Sequence, residues 1–65
     1  MTREEAKTAI QSGERVSHPF FPKISYIEQV GEDYVFEDGF IMPIDLFWKY
    51  RENDTWNDGW FIIET

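Results

Sequence analysis

The 65-residue sequence contains no cysteine, which excludes disulfide bonds and thiolate metal sites. It has no apolar run near the roughly 20 residues that a bilayer-spanning helix needs. Its first stretch, Met1-Thr2-Arg3-Glu4-Glu5, carries both charges and does not resemble a secretory signal. We therefore expect a cytoplasmic protein without membrane contact.

Basic residues are also scarce, with six Lys and Arg against 13 Asp and Glu and a net charge of -7. Because phosphate backbones are bound by clustered Lys and Arg, this balance argues against direct nucleic-acid binding. Aromatic residues, by contrast, make up 18% of the chain. We predict a single domain over residues 1–65, which gains stability from aromatic burial or from oligomerisation.

The first element predicted is a helix over residues 2–12. Thr2 and Glu5 have the spacing of a capping box, in which each side chain accepts a hydrogen bond from the other residue's backbone N–H. Ala6, Ala9 and Ile10 then follow the spacing of one apolar helix face, and Gly13 provides the stop.

Strands are predicted at 15–18, 24–30, 34–37, 40–42 and 60–63, with an Asp38-Gly39 hairpin turn. In the second strand, Ile24, Tyr26 and Val30 are expected on one face. The run Pro19 to Pro22 predicts a turn that buries at least one phenylalanine. The last strand is apolar on both faces, which favours a central sheet position or cover by a partner chain.

A short helix, from Leu46 to Tyr50 or Arg51, is expected before the last strand, with Asp45 as its cap. The fold class predicted is therefore α+β. An N-terminal helix packs on a small antiparallel sheet of about four or five strands, and a short helix precedes the final strand.

His18 is the lone histidine. Adjacent strand residues point to opposite faces, so Ser17 and His18 do not form a dyad, and one histidine without cysteine argues against a zinc site. We favour a structural, hydrogen-bonding His18 over a ligand contact. Because the chain also lacks a nucleotide-binding loop or nucleophile motif, we predict a non-enzymatic protein without cofactor or metal.

The acidic residues form two groups, which run from Glu28 to Asp38 and from Glu52 to Asp58. The second group lacks the spacing and closing Glu of a calcium loop. The first is interpreted as a solvated sheet edge that prevents aggregation, with mimicry of nucleic-acid phosphates as the strongest alternative.

Trp48 and Trp56 lie close in sequence to Lys49, Tyr50 and Arg51. Aromatic faces beside a guanidinium group can stack a flat ring and neutralise a phosphate. Core or interface positions are the alternative, which is favoured for Trp60 and evenly balanced for Trp56.

Both ends of the chain resemble a family of small phage proteins. A helix of the form Glu-Ala-x-x-Ala-Ile-x-x-Gly (residues 5–13) leads into Gly-Glu-Arg-Val, and the chain closes with Trp-Asn-Asp-Gly-Trp-Phe-Ile-Ile-Glu (residues 56–64). This layout is similar to the second type of Thoeris anti-defence protein. The family's basic-aromatic stretch after the first strand is replaced here by residues 17–21.

The resemblance implies a small α+β domain whose homo-oligomers hold a cyclic nucleotide signal between subunits and silence a bacterial immune pathway. The family positions that match would be Arg15 and Trp60.

Our leading hypothesis is thus a phage counter-defence protein in the host cytoplasm, a homo-oligomer that sequesters a nucleotide signal. Six residues are expected to bind the ligand, by ring stacking or by contact with phosphate: Arg15, His18, Phe20, Trp48, Arg51 and Trp56. The alternative is an acidic inhibitor that docks on a basic host protein, such as a nuclease.

Overall fold

The computed structural model describes residues 1–21 and 25–64 and has an α+β fold. The element order is α1 (Arg3–Gln11), β1 (Arg15–Ser17), β2 (Ile27–Val30), β3 (Asp33–Phe36), β4 (Ile41–Pro43), α2 (Ile44–Lys49), a 3₁₀ turn (Asp54–Trp56) and β5 (Phe61–Ile63). The predicted fold class is confirmed, with one antiparallel sheet and a second helix before the last strand.

Helix α1 begins at the predicted capping box. The Thr2 N–H donates to the Glu5 carboxylate at 2.8 Å, and the Glu5 N–H donates to the Thr2 hydroxyl at 3.2 Å. Ala6 and Ile10 are fully buried, so the apolar face predicted from their spacing is the face that packs on the sheet. With nine residues, α1 is too short to cross a membrane, and no other helix in the described ranges is longer.

Helix α2 follows β4 directly, with Pro43 as the N-cap. Asp45 was predicted to be the cap, which is wrong, because it is the second residue of the helix. Its carboxylate accepts a hydrogen bond from the Leu46 N–H at 3.0 Å. Pro43 is also the last residue of β4 and keeps an extended conformation, with φ -56° and ψ 143°, and its missing N–H is tolerated because β4 is an edge strand.

The sheet order is β4-β3-β2-β1-β5, and each neighbouring pair is antiparallel. β5 returns beside β1, with Arg15 opposite Ile63 and Ser17 opposite Phe61. The central position, one of the two environments predicted for β5, is therefore wrong, and cover by a partner chain stays a prediction. β5 is an edge strand, and Ile62 stays 38% exposed.

Successive residues of β2 face opposite sides of the sheet. Ile27 pairs with Val16 and with Phe36 and is fully buried, whereas Val30 is 59% exposed. Tyr26, predicted to share a face with Val30, has its ring under the Arg15 guanidinium on the side opposite Ile27, which is also the side of Val30. Ile24, the third member of that predicted face, lies outside the described residues.

The core occupies one face of the sheet, the face covered by both helices. Its buried apolar members are Ala6, Ile10, Val16, Phe21, Ile27, Tyr34, Phe47, Trp48 and Trp60. Burial of Phe21 confirms that the turn after β1 places one phenylalanine in the core. On the other face, over the described ranges, no helix packs, and Val30 and Ile41 are each 59% exposed.

Candidate functional site

The loop that follows α2 is tied to the start of α1. One Arg3 guanidinium nitrogen, Nη2, donates to the carbonyl of Arg51 at 2.7 Å and to that of Asn53 at 3.2 Å. The Arg3 backbone N–H donates to the Asn57 carbonyl at 3.0 Å. These bonds fix the position of the segment that carries Arg51 and Trp56.

The Arg51 side chain lies between two aromatic rings. Its Cζ atom is 3.9 Å from the centroid of the Phe47 ring and 5.1 Å from that of Trp56, and Nη1 donates to the Phe47 carbonyl at 3.2 Å. Stacking on both sides restricts the guanidinium to one orientation.

This guanidinium lacks an acidic partner. Across residues 1–21 and 25–64, no carboxylate lies within 4.0 Å of it, and its buried Nε has no hydrogen-bond partner. Burial lowers the pKa of Arg51 from its ordinary value, although arginine remains protonated at neutral pH. A half-buried cation without a counter-charge favours the binding of an anion.

Arg51 lines a cavity of about 310 Å³ whose other walls come from the β3–β4 hairpin and the segment around Phe21. The aromatic wall is formed by Phe21, Phe36 and Phe40, with ring centroids 5.7 Å apart for Phe36–Phe40 and 6.3 Å apart for Phe21–Phe36. Phe40 is 56% exposed, so part of this wall is open to solvent.

The polar groups in the cavity are Ser25, Asp38 and Arg51. The Asp38 carboxylate also accepts a hydrogen bond from the Phe40 N–H at 3.0 Å, which fixes it within the turn. The cavity thus combines aromatic faces with a cation, a carboxylate acceptor and a hydroxyl. These groups suit a flat ligand that carries both a negative group and a hydrogen-bond donor.

His18 has a structural position behind this cavity. Its Nδ1 accepts from the Phe20 N–H at 3.1 Å, and its Nε2 lies 2.8 Å from the Asp58 carbonyl, so Nε2 carries the proton that is donated there. His18 is only 4% exposed, and its ring centroid is 4.5 Å from that of Trp56. The two nitrogens are both occupied, as the structural interpretation predicts.

Trp56 and Phe20 both pack against the His18 ring. Trp56 is half-buried between Arg51 and His18, and Phe20 packs edge-on against it at 6.2 Å while remaining 66% exposed. The structure therefore brings four of the six predicted residues together: His18, Phe20, Arg51 and Trp56.

Trp48 lies apart, on a larger open groove of about 780 Å³ between the two helices and the β2–β3 turn. Its indole N–H donates to the Tyr34 hydroxyl at 3.0 Å, and Lys7 Nζ is 5.2 Å from its ring. Lys7 also contacts Glu4 at 3.4 Å. We favour the smaller cavity at Arg51 as the ligand site. The Trp48 indole N–H and Lys7 Nζ already have partners within the chain, whereas Arg51 lacks a counter-charge.

Arg15 also lies away from the cluster, on the sheet face opposite the core. It pairs with Glu28 at 3.1 Å and covers the Tyr26 ring at 4.8 Å. The pairing of its neighbour Val16 with Ile27 in the core dictates this direction, because successive strand residues point to opposite faces.

Of the six residues that line the cavity, sequence reasoning identified only Arg51 as a site residue and missed five: Phe21, Ser25, Phe36, Asp38 and Phe40. Asp38 was interpreted as a turn residue and Phe36 as an ordinary strand position. Their one available signal was the Asp38-Gly39 turn, which folds Phe40 back over Phe36. Among the described residues, no three His, Asp or Glu side chains are grouped to hold a metal ion.

No family model, no curated protein and no solved structure matches this chain.

Proposed function

We propose that this protein binds a small nucleotide without chemical turnover, through the cavity at Arg51. The observation that carries the proposal is the Arg51 guanidinium, which is oriented by two rings, lacks an acidic partner in the described chain and faces an aromatic cavity. A phosphate is the ligand group that best matches a fixed, planar, unpaired guanidinium.

The other residues of the cavity suit the base of a nucleotide. The rings of Phe36 and Phe40 offer apolar contact to a base, and the Asp38 carboxylate can accept hydrogen bonds from its exocyclic amine or ring N–H. A volume of about 310 Å³ is at the lower end of the range for ligand sites, which favours a mononucleotide over a larger ligand.

Binding without turnover agrees with the state of the histidine. Because both ring nitrogens of His18 are bonded to backbone groups and the ring is buried, it is not available for proton transfer to a ligand in the cavity. The biological role that follows is sequestration. The resemblance at the two chain ends suggests that the captured molecule is a cyclic nucleotide immune signal of a phage-infected cell.

The test is calorimetric titration of the purified protein with a panel of mononucleotides, cyclic mononucleotides and cyclic dinucleotides. We expect binding to at least one member, and we expect Arg51→Gln to weaken it about tenfold to a hundredfold through loss of charge-assisted bonds worth roughly 1.5–3 kcal/mol. Arg51→Lys, which keeps the charge but loses the planar fork, should give an intermediate affinity.

Arg15→Gln is the matched control. It removes the same type of side chain from the opposite sheet face, where Glu28 already pairs with it, so the affinity should remain unchanged. Equal loss in both variants would indicate a general charge effect. Absence of binding across the whole panel at millimolar ligand would refute the proposed function.

A second candidate function is docking to a basic protein. The tip of the β3–β4 hairpin presents Glu37 and Asp38 to solvent, and over the described ranges only Glu4, Glu28 and Asp58 form ion pairs. Such a complex should weaken steeply as salt rises. Glu37→Lys separates the two functions, because Glu37 does not line the cavity: the change should weaken docking to a basic protein, whereas the added positive charge should not weaken nucleotide binding.

A further inference from the structure

Two opposite charges, Asp38 and Arg51, line the same cavity without forming an ion pair. Within the described part of the chain, every ion pair closer than 4.0 Å involves other residues, so these two charged groups lie farther apart than that. Each is therefore available to a different part of one ligand. Because a carboxylate repels a phosphate, the negative group of the ligand belongs at Arg51 and its hydrogen-bond donors belong at Asp38.

The Asp38 carboxylate is held in place and still has acceptor capacity. Its Oδ1 accepts a hydrogen bond from the Phe40 N–H at 3.0 Å, inside the hairpin turn. An ionised carboxylate offers about four lone-pair sites, so this bond leaves Oδ2 and a second lone pair of Oδ1 for a ligand. The two oxygens can thus accept in parallel from two donors that lie side by side.

From this arrangement we propose that the cavity selects guanine among the nucleotide bases and that Asp38 determines this specificity. The inference rests on the nucleotide binding proposed above. Guanine carries two adjacent donors, the ring N1–H and the amine on C2, and these match the two oxygens of one carboxylate. Both bonds are charge-assisted, which makes them stronger than bonds between neutral groups.

The other bases place an acceptor beside their donor. Adenine and cytosine each have one exocyclic amine next to a ring nitrogen that accepts, and uracil has one ring N–H between two carbonyls. Against Asp38, such an acceptor faces the second carboxylate oxygen and is repelled by it. These bases therefore lose one of the two bonds that guanine makes, and a site built on hydrogen bonds rejects such analogues strongly.

The aromatic wall of the cavity is compatible with the same orientation. Phe40 follows Asp38 by two residues, and its ring centroid lies 5.7 Å from that of Phe36, so an apolar surface adjoins the carboxylate. A base on this surface can direct its donor edge to Asp38. Its phosphate is then left for Arg51, whose guanidinium is fixed between the rings of Phe47 and Trp56.

Calorimetric titration with guanosine, inosine, adenosine and xanthosine monophosphates tests the proposal. Guanosine monophosphate should bind about tenfold to a hundredfold more tightly than adenosine monophosphate, and inosine monophosphate, which lacks the C2 amine, should bind about tenfold more weakly than guanosine monophosphate. Asp38→Asn should shift the preference to xanthosine monophosphate, because the C2 carbonyl of xanthine accepts from the new amide. Asn-Gly suits a hairpin turn as well as Asp-Gly does, so this variant should fold.

Glu37→Gln is the matched control. It removes one negative charge from the neighbouring exposed residue, which does not line the cavity, so the ratio of guanosine to adenosine affinity should stay unchanged. Circular dichroism checks that both variants fold, and if Asp38→Asn does not, the comparison of inosine with guanosine in the unaltered chain decides.

Three results would overturn the proposal. Equal affinity for guanosine and adenosine monophosphates would exclude the guanine preference while leaving nucleotide binding intact. An Asp38→Asn variant that folds and keeps the guanosine preference would exclude Asp38 as its cause. Absence of binding to every nucleotide would refute the proposed function together with this inference.

Discussion

The buried hydrogen bond between Trp48 and Tyr34 makes a sharp test of the core. Tyr34 is 2% exposed and Trp48 is 8% exposed, and the bond between them is 3.0 Å long. Tyr34→Phe preserves the ring but leaves the indole N–H without a partner. The expected cost is about 1–3 kcal/mol of unfolding free energy.

That cost is large for a chain of this size, whose total stability should be about 3–10 kcal/mol. Each kcal/mol lost should lower Tm by roughly 4–8 °C. Urea unfolding followed by tryptophan fluorescence measures the difference. Tyr50→Phe is the control, because Tyr50 is 69% exposed and its substitution should change stability by less than about 0.5 kcal/mol.

Tyr34→Phe and Tyr50→Phe should also differ in how their unfolding free energy changes at alkaline pH. Burial raises the pKa of Tyr34 above its ordinary value of 10.0. The unfolded chain then releases this proton at a lower pH than the folded chain, so the stabilising contribution is complete below pH 10 and is lost as the pH rises above it. Tyr34→Phe should remove this part of the alkaline loss, whereas Tyr50→Phe should keep it. A Tyr34→Phe variant as stable as the unaltered chain would refute the reasoning.

Two further predictions concern backbone geometry and the capping box. Gly59→Ala should lower the unfolding free energy in urea more than Gly13→Ala. Both glycines have positive φ, +95° and +97°, but only a Cβ at Gly59 would lie 3.1 Å from His18 Nε2. Equal losses of unfolding free energy would contradict this. Thr2→Ala should cost about 1 kcal/mol of unfolding free energy. Bonds from the Thr2 backbone and hydroxyl lower the pKa of Glu5, so its contribution is present above the ordinary value of 4.5 and is lost as the pH falls below it. Glu5→Gln should flatten that acidic part of the stability profile, and an unchanged profile would contradict the assignment.

Local signals in the sequence were sufficient to predict the order of the helices and strands. The capping box at Thr2 and Glu5 and the turn at Asp38-Gly39 each depend on residues within a few positions of one another, and both are present. Which face of β2 enters the core depends on Ile27 pairing with Val16, a contact across the turn after β1. Sequence spacing alone does not encode that register.

For the same reason, only part of the candidate site could be predicted from the sequence. Arg51 and Trp56 are five positions apart, and the sequence placed them together correctly. Arg15 was grouped with them because of the resemblance at the chain ends, but the pairing of β1 turns it to the opposite face. Asp38 and Phe36 join Arg51 through contacts between distant segments, which composition and spacing do not reveal.

The pairing of β1 with β5 has a consequence for the order of folding. Arg15 lies opposite Ile63, so this pair closes a loop of nearly fifty residues, whereas β2, β3 and β4 are joined by short turns. We expect the three-strand meander and α1 to form early, and β5 to dock late. During synthesis, the sheet therefore remains incomplete until the ribosome has released the segment after Gly59, and Trp60 reaches its place in the core only at that stage.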